Sequence, residues 1–239
     1  MSASDPVVAI REAATVALLR DGSDDGRTQL QVLLLRRHGG HVFAANAYVF
    51  PGGAVDPADS DTVLAGRIRA GLDYANACLG DTGHAVAYWT AAIRECFEEA
   101  GLLLACDCSH VDESRRLSAR EALNAGTRGW AEVVDDMALH FRLDELAYFA
   151  HWVTPAGAPK RYSTRFFAAL APDAQSALSD GFETIRAWWA TPAEALAAND
   201  RGEIHLMTPT RATLERLCDY EDAESALAGL VEEGVVQGA

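Results

Sequence analysis

The chain has 239 residues, which is enough for one large domain with a substantial core. Hydrophobic residues make up 49% and charged residues 23%, a balance that is typical of globular proteins in water. The formal net charge is −15, from 35 acidic and 20 basic residues, and such a surface repels a nucleic-acid backbone. We therefore expect no nucleic-acid partner.

No apolar stretch approaches the roughly 18 residues that span a bilayer, so we expect no membrane partner. The first residues do not form a basic segment followed by an apolar run, and the last residues carry no lipidation or peroxisomal signal. Five cysteines, an odd number, argue against a disulfide framework. These features predict a cytoplasmic protein and leave a homodimer open as well as a monomer.

The first predicted elements are strands. Residues 14–19 and 30–35 are short apolar runs on either side of the turn-rich residues 21–26, which predicts a hairpin. A third strand, residues 48–50, is stopped by a proline and the glycine pair Gly52-Gly53.

Helices are predicted to dominate the middle of the chain. The pattern is Ala-rich and helical over about residues 60–83, and a long helix follows over residues 84–101. Residues 112–147 have the pattern of two or three further helices, broken near residues 126–129.

Strand patterns return late, at residues 148–153, 161–170 and 182–189, and helices are predicted over about residues 191–232. Strands at both ends with helices between them fit a mixed sheet with helices packed on its faces. We therefore predict an α/β fold and a single domain over residues 1–239.

The long predicted helix carries a cluster of charge near its end. Residues 94–101 read Arg-Glu-Cys-Phe-Glu-Glu-Ala-Gly. At about 100° per residue, Glu95, Glu98 and Glu99 fall on one face, opposite an apolar face suited to packing on a sheet. Like charges at this spacing oppose helix formation, and Gly101 is the expected C-cap, so the carboxylates also meet the negative end of the helix dipole.

Two interpretations of the cluster are open from the helix alone. A bound divalent cation would turn the repulsion into coordination, and clustered carboxylates suit hard ions such as Mg²⁺ or Mn²⁺. Alternatively, the cluster is a solvated acidic face in which Arg94 forms a local ion pair.

This helix and the earlier Phe50-Pro51-Gly52-Gly53 segment together resemble the Nudix box, whose pattern is Gly-x5-Glu-x7-Arg-Glu-U-x-Glu-Glu-x-Gly-U with U bulky and apolar. Asp59 stands where the first Glu of the pattern is expected. The second half of the pattern is matched by Arg94, Glu95, Glu98, Glu99, Gly101 and Leu102.

The sequence departs from the box at two places. Residues 60–93, 34 in number, separate Asp59 from Arg94 where the pattern has seven. Cys96 replaces the first bulky apolar residue, although a buried Cys packs as a small hydrophobe. The insertion leaves two roles open for Asp59: a place near the acid cluster or a cap for the inserted helix.

The long insertion resembles that of the Nudix branch related to the peroxisomal coenzyme A diphosphatase. Residues 152–155 and 161–167 look like the W-x-T-P and R-F-D-T-x-F-F segments of that branch, with Ser163 in place of the Asp. Glu183 and residues 189–195 resemble its late strand and helix, so the likeness covers roughly residues 10–220.

The resemblance implies a Nudix-type α/β/α sandwich with a mixed β-sheet and helical insertions. It also implies a hydrolase that uses Mg²⁺ or Mn²⁺ to cleave the diphosphate of a small nucleoside-diphosphate derivative. By resemblance, the Gly53 carbonyl, Glu95, Glu98 and Glu99 hold the metal. Arg94 is expected to orient Glu95, and the general base stays open between Glu95 and Glu183.

The favoured substrate by resemblance is coenzyme A or acyl-CoA. The alternatives are ADP-ribose, dinucleotides or other nucleoside diphosphates, or a non-catalytic Nudix-fold module that binds a nucleotide. A phosphate-rich substrate needs cations, and strand alternation places Arg161 and Arg165 on one face. We predict that these two, with Arg36 and Arg37, contribute substrate contacts, unless they are solvated arginines at strand ends.

Overall fold

The computed structural model describes residues 8–24, 27–39, 46–80 and 84–238. Its strands are β1 (Ile10–Asp24), β2 (Arg27–Arg37), β3 (Ala47–Val49), β4 (Gly52–Ala54), β5 (Ile68–Ala70), β6 (Phe141–Arg142), β7 (Ala147–Val153), β8 (Arg161–Leu170), β9 (Thr184–Ala190), β10 (His205–Leu206) and β11 (Val236–Gly238). Its α-helices are α1 (Thr62–Gly66), α2 (Leu72–Leu79), α3 (Ala85–Ala100), α4 (Glu113–Asn124), α5 (Trp130–Asp136), α6 (Pro192–Asp200), α7 (Thr208–Leu217) and α8 (Ala223–Glu232). Short 3-10 helices cover Pro57–Ser60 and Leu143–Glu145.

Nine of the strands in the described ranges form one mixed sheet, in the order β10-β3-β2-β1-β8-β7-β11, with β4 paired to β1 and β9 to β2. One edge of β1 runs parallel to β8 over residues 10–19. Its other edge pairs with β4 through residues 13–15 and with β2 through residues 19–24. β1 therefore changes partner along this edge, and the glycine pair of β4 lies at the change.

Apolar side chains cover both faces of the sheet. Because side chains alternate along a strand, Leu33 and Leu35 join the core on the α3 side, while Val32 and Leu34 join the core on the side of α7 and α8. The mixed sheet with helices on both faces confirms the predicted α/β sandwich.

Helix α3 is the most deeply buried helix of the core on its own side of the sheet. Its Trp89 is fully buried, with its ring 4.7 Å from that of Phe167, and its indole N–H donates to the Leu146 carbonyl oxygen at 3.3 Å. Gly101 ends the helix with a left-handed φ of 71°, as predicted for a C-cap. Packing on the sheet therefore fixes where the acidic end of α3 lies.

The prediction of a continuous helical insertion over residues 60–83 was wrong in its middle. Between α1 and α2 the chain forms strand β5, which pairs in parallel with β6. Gly71 has a left-handed φ of 83°, which separates the strand from α2. The break expected at residues 81–83 lies outside the described residues.

The later elements follow the predictions, except that the short strands β10 and β11 were not predicted and that the segment over residues 112–147 differs at its end. That segment contains two helices, but its end forms β6 and a 3-10 turn, because β6 pairs with the inserted β5. Thr191 caps α6 in a capping box with Glu194.

All five cysteines are free, and no described helix has the length and apolarity that a membrane crossing requires.

Candidate functional site

An open cavity of about 840 Å³ lies where β1 changes partner. One side is formed by β4 and the acidic end of α3, and the other by the end of β7, alternate residues of β8 and the start of α7. Its lining includes Gly52, Gly53, Glu95, Glu98, Glu99, Arg37, Trp152, Lys160, Tyr162, Phe166 and Glu183.

Arg94 organises the acidic side of this cavity. Its Nε and Nη2 atoms donate to the two carboxylate oxygens of Asp59 at 2.8 and 2.9 Å. Nη2 also donates to the Ala54 carbonyl at 3.0 Å, and Nη1 donates to Glu95 at 2.8 Å and Glu98 at 2.9 Å. The five N–H groups of the guanidinium thus have five acceptors, which joins the strand β4, the 3-10 helix and α3.

The long insertion does not carry Asp59 away from the box. Asp59 is fully buried, its carboxylate accepts from the Asp56 N–H at 2.8 Å, and its carbonyl accepts from the Thr90 hydroxyl at 2.7 Å. Asp59 therefore lies near the acid cluster as the partner of Arg94 and caps its own 3-10 turn, whereas the inserted helix α1 is capped by Asp61.

Glu95 and Glu98 are the partly exposed acids, with side chains 12% and 25% exposed. Burial raises the pKa of Glu95 to about 7, assisted by the charge of Glu98 and opposed by Arg94. Burial also raises the pKa of Glu98, again against Arg94. Arg94 thus compensates these two carboxylates only in part.

Glu99 is almost completely buried at 2% exposure. Its Oε2 accepts from the Gly52 N–H at 3.0 Å, whereas its Oε1 has no hydrogen-bond partner and lies 3.9 Å from the Arg37 guanidinium. Burial, and then the charge of Glu95, raise the pKa of Glu99 well above its ordinary value. A buried oxygen without a partner is costly and is a position where a cation would be bound.

Gly53 lies directly against the acid cluster. A Cβ atom added to Gly53 would lie 2.5 Å from the carboxylate atoms of Glu95, so a larger residue here would displace the Glu95 carboxylate. The contact explains why the glycine pair and the acidic helix belong to one motif although they are far apart in the chain.

The donor chemistry fits a hard divalent cation, because the site offers carboxylate oxygens, one of them unpartnered. Within the described ranges, no three His, Cys, Asp or Glu side chains are grouped closely enough to hold a metal ion as they stand. One nitrogen, Arg94 Nη1, bonds both Glu95 and Glu98. Binding a cation therefore requires at least one of these side chains to turn from Arg94 toward Glu99.

The four arginines predicted to bind substrate are not brought together. Arg37 lines the cavity and donates to the Gly52 carbonyl at 3.4 Å. Arg36, one residue earlier, points to the opposite face of the sheet and lines a separate depression with Arg186 and Trp188.

Arg161 and Arg165 do share a face of β8, as predicted, but it is the face away from the cavity. Arg161 donates to the Thr154 carbonyl at 3.0 Å, and the Arg165 guanidinium lies 4.4 Å from the ring centroid of Tyr88. Ser163, which replaces an Asp of the family pattern, also lies on this face and accepts from Arg165 at 2.7 Å.

The residues of β8 that line the cavity are those on the strand face opposite to Arg161 and Arg165. Lys160, just before the strand, lines the cavity with Tyr162 and Phe166. Sequence reasoning missed Lys160, although it is the only lysine of the chain and alternation places it with Tyr162.

Glu183 lies on the turn that precedes β9 and lines the cavity. The Asp180 carboxylate accepts from the N–H groups of Phe182, Glu183 and Thr184 at 3.0, 3.3 and 2.8 Å, which fixes the turn. The charge of Glu183 contributes to the raised pKa of Glu98 and Glu99, so it lies near both. Glu183 thus lies just before β9, which begins at Thr184, although the strand pattern of the sequence began at residue 182.

Known proteins resemble the chain in sequence and in fold. The family model of the NUDT19 Nudix domain matches residues 73–217. A protein of Gallus gallus named acyl-coenzyme A diphosphatase NUDT19 is 30% identical over 88% of this chain and 68% of its own length. The human protein of that name is 27% identical over 80% of this chain and 61% of its own length.

A solved structure, a NUDIX hydrolase from Alicyclobacillus acidocaldarius, superposes with a TM-score of 0.76 at 29% identity, over 92% of this chain and 96% of the other. The curated relatives are longer proteins, and the aligned part of this chain spans between 58% and 68% of the length of four of them.

We expect Asp59→Ala to destabilise the protein by about 3–5 kcal/mol, because it leaves the Arg94 guanidinium buried without its bidentate partner. Urea unfolding measures the difference. Asp61→Ala is the matched control, because Asp61 caps α1 through the Val63 N–H at 2.8 Å and its loss should cost about 1 kcal/mol. Equal losses in the two variants would contradict the central role of the Asp59–Arg94 pair.

We expect Glu99→Gln to raise the melting temperature of the metal-free protein at pH 8 by about 2–4 °C. Folding raises the pKa of Glu99, so its neutral carboxyl stabilises the fold below pH 4.5, and this contribution is lost as the pH rises through the folded-state pKa. The amide does not titrate, so its advantage should grow from pH 5 to pH 8 in EDTA. The exposed Glu224→Gln serves as control, and a pH-independent difference for Glu99→Gln would argue against the buried charge.

Proposed function

Since the chain belongs to the Nudix family of the NUDT19 type, we propose that it hydrolyses the diphosphate linkage of a nucleoside-diphosphate derivative with Mg²⁺ or Mn²⁺. The observation that carries the proposal is the buried Glu99, whose Oε1 has no hydrogen-bond partner, at an open cavity that Glu95, Glu98 and Gly53 also line. A buried acid cluster of this kind destabilises the metal-free protein, so it needs a reason to persist.

We assign the cation to Glu95, Glu98, Glu99 and the Gly53 carbonyl. A bound divalent cation would neutralise charge on the diphosphate oxygens and lower the pKa of attacking water. The chain's own task is to keep the three carboxylates ionised and correctly directed. In the metal-free protein Arg94 holds Glu95 and Glu98 through its two Nη1 hydrogen bonds, at least one of which is released when a cation binds, and Asp59 in turn fixes Arg94.

For the general base we favour Glu183 over Glu95. Glu95 is packed against Gly53 and bonded to Arg94, which suits a ligand better than a group that must accept and release a proton. Glu183 lies near Glu98 and Glu99 on a turn that Asp180 holds in place, and its side chain is exposed. A base needs this combination of fixed position and access to water.

The substrate phosphates require positive charge in a protein whose net charge is −15. Arg37 and Lys160 line the cavity, so we propose them as phosphate contacts. Arg36, Arg161 and Arg165 face other surfaces and have no part in this proposal.

Coenzyme A or acyl-CoA is the substrate we favour. The support is the name of the curated relatives together with the mixed lining of the cavity. Trp152, Phe166 and Met207 give it an apolar side opposite the acids, which suits the long arm of coenzyme A. ADP-ribose or a dinucleotide is the alternative substrate, and a non-catalytic nucleotide-binding module is the alternative function.

Exchanging the acids one at a time tests the assigned roles. We expect Glu98→Gln to remove both turnover and the stabilisation by Mn²⁺, because it removes a ligand. Glu183→Gln should lower kcat on the order of 100-fold while Mn²⁺ affinity changes little, because it removes only the base. Full activity in Glu183→Gln would return the role of base to Glu95.

A screen of diphosphate compounds with Mg²⁺ and Mn²⁺ tests the substrate. We expect coenzyme A to yield 3′,5′-ADP, detected by chromatography, because the chain is similar to acyl-CoA diphosphatases. Cleavage of ADP-ribose alone would overturn the substrate. Nucleotide binding without any hydrolysis, and without thermal stabilisation by Mn²⁺, would favour the binding module.

A further inference from the structure

The last turn of α3 is held by side chains of α4, a helix outside the Nudix box. Arg120 Nε donates to the Glu98 carbonyl at 2.9 Å and Arg120 Nη2 to the Glu99 carbonyl at 2.7 Å. Asn124 donates to the Glu98 carbonyl at 3.1 Å, and Arg116 donates to the Gly101 carbonyl. Arg116, Arg120 and Asn124 are spaced at i, i+4 and i+8, so they lie on one face of α4.

These contacts replace the water molecules that normally hydrogen-bond to the last carbonyls of a helix. Arg116 and Arg120 are only 4% and 6% exposed. Burial lowers the pKa of Arg120, which shows that its position is unfavourable for a free guanidinium. Its hydrogen bonds to described groups go to the two carbonyls of Glu98 and Glu99. A buried arginine directed at these two residues calls for an explanation beyond packing.

The carbonyls that Arg120 holds belong to two of the proposed metal ligands. Thr184, next to the proposed base Glu183, also donates to the Glu99 carbonyl, at 3.4 Å. The Leu178 N–H donates to the Ala100 carbonyl at 2.9 Å. The end of α3 is thus joined on one side to α4 and on the other to the segment that carries Glu183.

We propose that Arg120 is a positioning residue for the metal site. By bonding the carbonyls of Glu98 and Glu99 together, it fixes the rotation of the last turn of α3, and with it the directions in which the two carboxylates leave the helix. The proposal rests on the proposed function, because it presumes that Glu98 and Glu99 bind a cation.

Geometry and charge predict opposite effects of removing Arg120. If Arg120 acted only as a nearby positive charge, Arg120→Ala would tighten the binding of a cation. If it positions the ligands, the same change weakens binding. Weaker Mn²⁺ binding would therefore indicate a positioning role, and tighter binding a purely electrostatic one.

The experiment is calorimetric titration of the intact protein with Mn²⁺ alone, at a temperature where circular dichroism shows each variant to be folded. We expect Arg120→Ala to bind Mn²⁺ on the order of tenfold more weakly. Arg120→Lys should recover only part of this, because one ammonium cannot reproduce the planar fork that bonds both carbonyls. Asn124→Ala, which removes a second donor to the Glu98 carbonyl, provides a milder change if Arg120→Ala does not fold.

Arg115→Ala is the matched control, because Arg115 is on the same helix but is exposed and bonds the Asp136 carbonyl instead. Its Mn²⁺ affinity should equal that of the wild type.

A lowered melting temperature with unchanged Mn²⁺ affinity in Arg120→Ala would reduce Arg120 to a structural cap and overturn the proposal, and tighter binding would do the same. Failure of the wild type itself to bind Mn²⁺ or hydrolyse any diphosphate would overturn the proposed function. Wild-type binding and turnover with an unaffected Arg120→Ala would overturn only the role of Arg120.

Discussion

The structure of the site depends on one guanidinium. Arg94 is bonded by its Nε side to Asp59, at the end of the glycine-rich loop, and by Nη1 to Glu95 and Glu98 on its own helix. The loop and the helix are thereby locked at one distance, and that distance allows Gly53 to lie directly against Glu95. A lysine could not do this, because it cannot present the planar fork that the Asp59 carboxylate accepts.

Arg94 also explains how the long insertion is tolerated. The chain leaves the box after Asp59, builds α1, β5 and α2, and returns in the first turns of α3. The two ends of the insertion are joined by the Thr90 hydroxyl, which donates to the Asp59 carbonyl at 2.7 Å, and its interior is held where β5 pairs with β6. Because its ends are in contact, the position of the acids relative to Asp59 does not depend on the length of chain between them.

The sequence predicts those features that arise from local spacing. The hairpin of β1 and β2, the helix α3 with Gly101 as its cap, and the common face of Glu95, Glu98 and Glu99 all follow from the period of the pattern. Strand β5 was missed because three residues flanked by glycines have no pattern of their own, and its partner lies about seventy residues away. Alternation placed Arg161 and Arg165 together correctly, but it cannot say which face of a strand a cavity borders. Arg120 gave no local signal, because its carbonyl partners become neighbours only when α4 packs against α3.

The electrostatics of the metal-free site favour a cation over an anion. In the metal-free state Glu95, Glu98, Glu99 and Glu183 face a cavity whose nearest cations are Arg37 and Lys160, and Arg94 is already engaged behind the acids. A diphosphate entering this state would meet repulsion from the acids that two side chains cannot offset. A divalent cation has the opposite preference, since one oxygen of Glu99 has no hydrogen-bond partner and burial raises the pKa of Glu95 and of Glu98 despite the charge of Arg94. Under the proposed function, the cation is therefore bound before the diphosphate or together with it, and Arg37 and Lys160 would contact a substrate whose charge the cation has already reduced.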